Sequence, residues 1–226
     1  MEARHYQQHT LVEVAYTSLK HDITTGLLKP GHKVNIRELN ERYGISETPI
    51  KQALNRLISE GLIESTPRKG VSVREINWDD IEELLDIRLM METYYVGAAI
   101  QALRADPQRR EKMLRNVTEH LRLVEHGMGV EDHFKAYSLD LEFHQMYMSY
   151  SGNKRVMLVY NHLGTHDYAY YIYGKQSKEA TILGVLEHQE IYCALLDADE
   201  QRLQRSIENH IANAKTKISS VLKGNL

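Results

Sequence analysis

Residues Leu27 to Val73 read LLKPGHKVNIRELNERYGISETPIKQALNRLISEGLIESTPRKGVSV, and the punctuation of this stretch decides the fold. Pro30-Gly31 is a chain-breaking pair. After it, Asn35 can cap a short helix, with Glu38 three residues on in the manner of a capping box, and Gly44 supplies the terminal turn. A third helix is expected from Ser46 as N-cap. It carries Pro49 in its first turn, where a missing N–H costs little, and stops at Gly61. Ile63 to Thr66 and Val71 to Val73 are brief β-prone runs around Pro67-Arg68-Lys69-Gly70, the pattern of a small hairpin. Two helices joined by the tight turn Gly44-Ile45-Ser46, followed by a hairpin, outline a winged helix-turn-helix. Leu54, Leu57, Ile58 and Leu62 are its expected core.

Working outward, a first helix is expected from about Gln8 to Leu27. Downstream, Glu75 to Asp79 holds the single tryptophan, Trp78, and a possible cap, Asn77, so a boundary is placed there: 1–76 the winged helix-turn-helix domain, 77–226 a second domain. Beyond it the apolar residues recur at helical spacing over about 78–103, 107–126, 131–150, 154–173, 178–196 and 200–222. The fold class is mainly α: a winged helix-turn-helix with a small β-hairpin, then an all-helical antiparallel bundle.

The composition narrows the function. Among 226 residues no run approaches the roughly 18 consecutive apolar residues of a membrane span, and the opening MEARHYQQHT lacks the apolar core of a signal peptide, so a cytoplasmic location and no membrane partner are expected. Cys193 is the one cysteine, so any metal site must use His, Asp or Glu. The net charge of −3 argues against a protein that coats polyanions over its whole surface. Divided at residue 76, however, the first part holds 11 Lys and Arg against 9 Asp and Glu, and the remainder 17 against 22. A mildly basic module is joined to an acidic bundle.

The stretch from Leu27 to Val73 resembles the DNA-binding domain of GntR-family bacterial transcription regulators. Their pattern is Pro-Gly, a short helix, G-V-S-R-T-P-V-R-E-A-L, then G-L-(V/I) and a glycine-containing wing. Carried over position by position, the resemblance implies DNA contacts by Arg37 on the second helix, Thr48 and Lys51 on the recognition helix, and Gly70 at the wing tip. A helix entering the major groove presents its first turn to base edges and phosphate, and a glycine lets a hairpin tip approach the minor groove. Alternatively, Arg37 is a solvated helix residue and Gly70 merely makes the turn. This chain departs from the pattern where Glu47 stands in place of Arg, Lys51 in place of Arg and Gln52 in place of Glu. Glu has no donor for guanine, so the operator is expected to differ from the family's common one. Glu47 either accepts from a base or only stabilises the helix N-terminus.

Residues 77–226 hold 8 of the 12 histidines. His120, His126 and His133 sit among polar neighbours and are expected on solvated helix faces. Three others lie on apolar stripes: His144 with Tyr137, Asp140 and Tyr147; His188 with Val185, Ile191 and Leu195; His210 with Leu203, Ile207 and Ala214. Singly, each is more often a hydrogen-bonded core residue than a ligand. Jointly, Asp140 and His144 share one helix face at i, i+4, and two further inward stripes can converge with it in a bundle core. One carboxylate and three imidazoles suit a divalent metal ion: zinc first, or nickel, manganese or iron.

The segments DLEFHQMYMSYSGN (140–153), EHQEIYCALLDADE (187–200) and IENHI (207–211) resemble the FCD ligand-binding domain of the FadR-type branch of GntR regulators. Proteins of this type are dimers with an all-helical C-terminal domain, many binding metal through Asp and three His. The resemblance carries that set onto Asp140, His144, His188 and His210. It also places an effector-lining arginine at Arg88, which lies on a stripe with Leu84, Leu85, Met91 and Tyr95. A buried guanidinium there needs an anionic partner, either an acidic small molecule or an internal carboxylate such as Glu92. Tyr95 and Asn153 are weaker effector-pocket candidates, and Tyr168, Tyr170, Tyr171 and Tyr173 are either phenol donors or packing.

The expectation is a homodimeric regulator, more often a repressor in this family, that reads a palindromic double-stranded operator under the control of a small organic acid. One alternative is a regulator whose bundle only dimerises or senses metal. Another is a metal-dependent hydrolase or di-iron protein, against which stand the lack of H-E-x-x-H and of any Glu-x-x-His in residues 77–226, and a DNA-binding module that would have no purpose.

Overall fold

The computed structural model describes residues 10–75, 77–126, 129–164 and 176–223, which divide into two compact units between residues 76 and 77. The second half of the helix expected over 154–173, with its four tyrosines, lies outside the described residues. The first unit holds α1 (Leu11–Thr24), α2 (Ile36–Tyr43), α3 (Glu47–Ser59), β1 (Ile63–Thr66) and β2 (Gly70–Val73). α1 and α2 start at capping side chains. Thr10 accepts from the Glu13 amide, and Asn35 accepts from the Arg37 amide while donating to Glu38. Gly44 ends α2 in the left-handed region at φ 66°, its N–H bonded to the Asn40 carbonyl, and the Asn40 side chain donates to the Ile45 carbonyl. These bonds fix the turn that aims α3.

α1 packs across α3, with Ala15, Leu19 and Ile23 meeting Ile50, Ala53, Leu54 and Leu57 in a buried core. Leu62, Ile63 and Val73 bring the hairpin onto the same core, whereas Ile58 is only partly covered. The strands pair antiparallel from Ile63↔Val73 to Thr66↔Gly70, and Lys33 bridges to Ser72 on the outer edge. Tyr16 donates to Glu60 at 2.8 Å with Lys20 and Arg56 around it, which ties α1 to the end of α3.

The second unit is helical throughout its described residues: α4 (Trp78–Tyr94), α5 (Val96–Ala105), α6 (Pro107–Glu125), α7 (Val130–Ser149), α8 (Lys154–His162), α9 (Lys178–Asp197) and α10 (Glu200–Leu222). Asn77, Asp106, Asn153, Ser177 and Asp199 cap α4, α6, α8, α9 and α10 with side-chain oxygens. One helix was expected over 78–103, but the chain breaks at Tyr95. The Thr93 hydroxyl bonds back to the Leu89 carbonyl at 2.6 Å, competing with the backbone ladder, and flexible Gly97 follows. α9 packs against α10, α6 and α5, α10 against α4, and α7 against α6, α8 and α4. The inward stripes of α4, α6, α7, α9 and α10 are thereby brought to one core.

Candidate nucleic-acid interface and candidate metal centre

In the first unit, Arg37 and Lys51 are exposed and line one concave face with Lys33, Lys69, Glu47 and Gly70. Thr48, also exposed on the first turn of α3, is not among the lining residues of that face. The Ser46 hydroxyl makes no capping bond, so the first amides of α3 keep their donors for an incoming phosphate. Gly70 sits at φ 92° with open space where a Cβ would be, a conformation that side chains rarely adopt. The sequence departures meet each other: Lys51 donates to Glu47 at 2.7 Å across one helical turn, which holds the Glu47 carboxyl below the usual range. In the free protein Glu47 is the partner of Lys51. The face carries Arg37, Lys51, Lys33 and Lys69 against Glu47, a basic patch on a module with little net charge.

In the second unit, His144, His188 and His210 converge from α7, α9 and α10, one ring nitrogen of each within 4.8 Å of the others. His144 Nε2 and His188 Nε2 are 3.1 Å apart, and Asp140 Oδ1 is 3.5 Å from His188 Nε2. Two zinc–nitrogen bonds of roughly 2.0–2.1 Å at a tetrahedral angle separate their nitrogens by about 3.3–3.4 Å, so these positions fit an ion between them. All three imidazoles are buried, and Asp140 is 23% exposed at the edge. His210 Nδ1 lies 2.9 Å from Glu187, whose other oxygen accepts from Asn213 at 2.6 Å. That outer bond occupies Nδ1 and leaves Nε2 as the nitrogen that could hold an ion, the arrangement usual for metal-binding histidines. Phe143 stacks on His188 at 4.2 Å and walls off one side.

Arg88 is 1% exposed and donates to Glu92 at 3.0 Å, so the internal carboxylate is its partner in this structure. Its Nη2 also stands 2.9 Å from His144 Nε2. Glu92 accepts from the Tyr160 hydroxyl at 2.9 Å and lies 3.3 Å from His144 Nδ1, and Tyr147 donates to the Glu92 carbonyl. Tyr95 and Asn153 meet at 3.4 Å, but the Asn153 oxygen is engaged in capping α8.

Burial, reinforced by the Arg88 charge and by the other histidines, holds His144 well below the ordinary imidazole value of 6.5, and burial with its histidine neighbours does the same for His188. Both are therefore neutral imidazoles at neutral pH. The unfolded chain takes up protons at these positions first, so folding stability is complete above the ordinary value and declines as pH falls below it. Metal-free protein is expected to lose several degrees of melting temperature between about pH 7 and about pH 5, at roughly 2–4 °C per kcal/mol for a chain of this size. A flat profile in calorimetry over that range would contradict the burial of neutral imidazoles.

His120 was expected on a solvated face and is instead 2% exposed, its ring 6.0 Å from that of His188. His133 is half-buried and His126 exposed. The polar residues next to His120 in the chain say nothing of its inner face. The informative signal was the buried stripe Met113, Asn116, Val117, His120 and Val124 at helical spacing. Tyr160, Glu187 and Lys217 were not singled out, and Glu92 only as an alternative partner for Arg88.

Comparison with known proteins finds one family match in each unit. Residues 11–73 match the family of bacterial regulatory proteins called gntR, and residues 83–213 match the FCD domain. The HTH-type transcriptional regulator YdhC of Bacillus subtilis is 24% identical over 92% of this chain and 91% of its own. The HTH-type transcriptional regulator McbR of Escherichia coli is 34% identical, over 38% of each chain. A solved structure of E. coli McbR superposes with a TM-score of 0.70 at 20% identity, covering 97% of this chain and 100% of that one, and shows the fold. No described helix is long and apolar enough to cross a membrane. The two matches together span both units, and the chain belongs to the GntR family of DNA-binding transcription regulators, which are not enzymes, in the FadR-type branch that carries an FCD domain.

Proposed function

We propose that the chain is a cytoplasmic homodimer whose operator binding is controlled by a small carboxylate held at a metal site in the helical domain, and that it acts as a repressor. Convergence of the three buried imidazoles beside Asp140, with Arg88 against His144, carries this reading. Asp140, His144, His188 and His210 would hold the divalent ion, zinc by preference for this donor set. Such an ion supplies a Lewis-acidic point that draws a carboxylate oxygen. Glu92 pairs with Arg88, and Asp140 would offset only one of the two charges of such an ion, so an acidic ligand would complete the neutralisation at low dielectric. Arg88 then binds the same carboxylate, and its hold on Glu92 loosens. Arg37, Thr48, Lys51 and Gly70 read the operator, and two modules address the halves of a palindrome. The ligand acts by binding the operator-bound and released dimers with different affinity. The repressor role follows the family habit and the E. coli repressor GlaR, 32% identical over 38% of this chain.

One observation favours a second reading, in which the domain senses metal or dimerises without an organic ligand: Arg88 is already satisfied by Glu92. Both are tested on an operator selected from random duplex DNA, by anisotropy with metal-loaded and chelator-stripped protein, against a panel of sugar acids, hydroxy acids and dicarboxylates. At least one acid is expected to shift operator affinity about tenfold, a coupling of roughly 1.4 kcal/mol, and only when metal is loaded. A response to metal alone selects the second reading. An acid response that survives metal removal defeats the metal site.

A further inference from the structure

Two basic side chains stand beside the imidazole cluster without a role so far. Lys217 follows His210 on α10 by seven residues, so the two lie on one face about 10 Å apart along the axis. Helical side chains slope toward the N-terminus, which carries the long lysine back toward His210. Its ammonium lies 3.4 Å from the place of a Cβ on Gly184, and Gly184 is one turn before His188 on α9. Glycine there leaves the space that the ammonium uses. Lys217 is partly buried, and its ammonium makes no hydrogen bond or close ion pair among the described residues. It lines a cavity of about 270 Å³ between α9 and α10 with Gly184, Glu187 and Asn213. Burial lowers its pKa, Asp140 and Glu187 oppose the shift, and Arg88 adds to it, so all these charges feel one another.

His120 is the second side chain. Neither of its ring nitrogens has a hydrogen-bond partner among the described residues, although the ring is almost wholly buried. Such a group is costly unless something supplies the missing partner. Asp140 and Lys217 both act on it electrostatically. Lys217, against Gly184 one turn before His188, and His120, its ring 6.0 Å from that of His188, thus stand on the His188 side of the cluster, while Arg88 stands beside His144.

We infer that Lys217, with His120 beside it, forms a second anion-holding corner of the ligand site, so that the preferred ligand is a short diacid with one carboxylate at Arg88 and the metal and the other at Lys217. This rests on the reading of the helical domain as an acid receptor. A ligand bearing one carboxylate leaves the Lys217 ammonium unpaired and is bound more weakly.

The test titrates zinc-loaded full-length protein in a calorimeter with succinate, malate and glutarate, and with butyrate and lactate as monoacid counterparts. The wild type is expected to bind at least one diacid roughly 10- to 100-fold more tightly than the monoacids, the range of one charge-assisted hydrogen bond. Lys217→Met is expected to abolish that preference by bringing diacid affinity down to that of the monoacids, and to melt no lower than wild type without ligand, since a partly buried cation without a hydrogen-bond partner among the described residues has gone. Lys217→Arg is expected to retain a diacid preference. Monoacids binding as tightly as diacids to the wild type, or an unchanged preference in Lys217→Met, overturns the second corner alone. Binding of neither class overturns the acid-receptor reading and this inference with it. The wild-type comparison decides even if a variant fails to fold.

Discussion

His188→Ala is expected to lower bound metal from about one ion per chain to background. His188 sits 1% exposed at the centre of the set, its Nε2 at 3.1 Å from that of His144 and at 3.5 Å from Asp140. Without it, His144 and His210 retain only Asp140 as company, and three donors with a gap between them hold an ion far more weakly than four. A ligand that binds only the folded state stabilises it by about 3–4 kcal/mol at 100- to 1,000-fold excess over its Kd. The variant should forfeit that metal-dependent gain, so its melting temperature should be the same with zinc and with chelator. Truncating a buried ring also leaves a cavity, and that cost appears in both conditions, which separates the two effects. The variant should also respond less to acid, because one of the two strongly depressed imidazoles is gone. Elemental analysis showing full metal content in purified His188→Ala would remove His188 from the site.

The proposed ligands were legible because their signals are local. Asp140 and His144 are one turn apart on one helix face with Tyr137 and Tyr147, and His188 and His210 interrupt stripes whose other members are aliphatic. What these residues meet depends on which helices lie opposite, and a linear pattern does not encode that. Glu92 illustrates the limit. It was seen as an i+4 partner for Arg88, yet its hydrogen bond from Tyr160 and its approach to His144 require α7 and α8 to pack against α4. His120 was misjudged because Glu119 and Arg122 beside it pair with each other on the outer surface and say nothing of the inner one. Lys217 needed the neighbouring helix as well, since only Gly184 on α9 makes room for its ammonium.

The element order followed the punctuation closely where capping chemistry marks the ends. Asn35, Gly44, Asp106 with Pro107, Ser177 and Asp199 all stand at helix termini, because each satisfies or dispenses with backbone groups that a helix end leaves open. The break at Tyr95 escaped because none of these residues marks it. A back-bonding threonine and a tyrosine cap have weak local signatures, and the hydrophobic period runs on through them.

Combining Arg37→Ala with Lys51→Glu should reduce operator affinity by about 1,000-fold or more. Both side chains are exposed on the concave face shared by α2, α3 and the hairpin tip, and such surface changes alter stability by only about 0.5 kcal/mol. The loss in binding is larger because it is compound. Each contact to a base or phosphate is worth roughly 1–3 kcal/mol, and the slope of log affinity against log salt falls by about one for each phosphate contact removed. Lys51 is paired with Glu47 in the free protein, and in the proposed complex it would exchange that anion for DNA. A glutamate at 51 reverses that relation. Two carboxylates one turn apart repel each other on the free helix and both repel phosphate, and neither offers guanine a donor. The basic module has only 11 positive side chains against 9 negative in residues 1–76, so little nonspecific attraction is left to conceal the defect. Anisotropy titrations at two salt concentrations, with circular dichroism to confirm the fold, provide the measurement. Affinity within about threefold of wild type would place the DNA-reading surface elsewhere on the first unit, and an unchanged salt slope would deny Arg37 and Lys51 any phosphate contact.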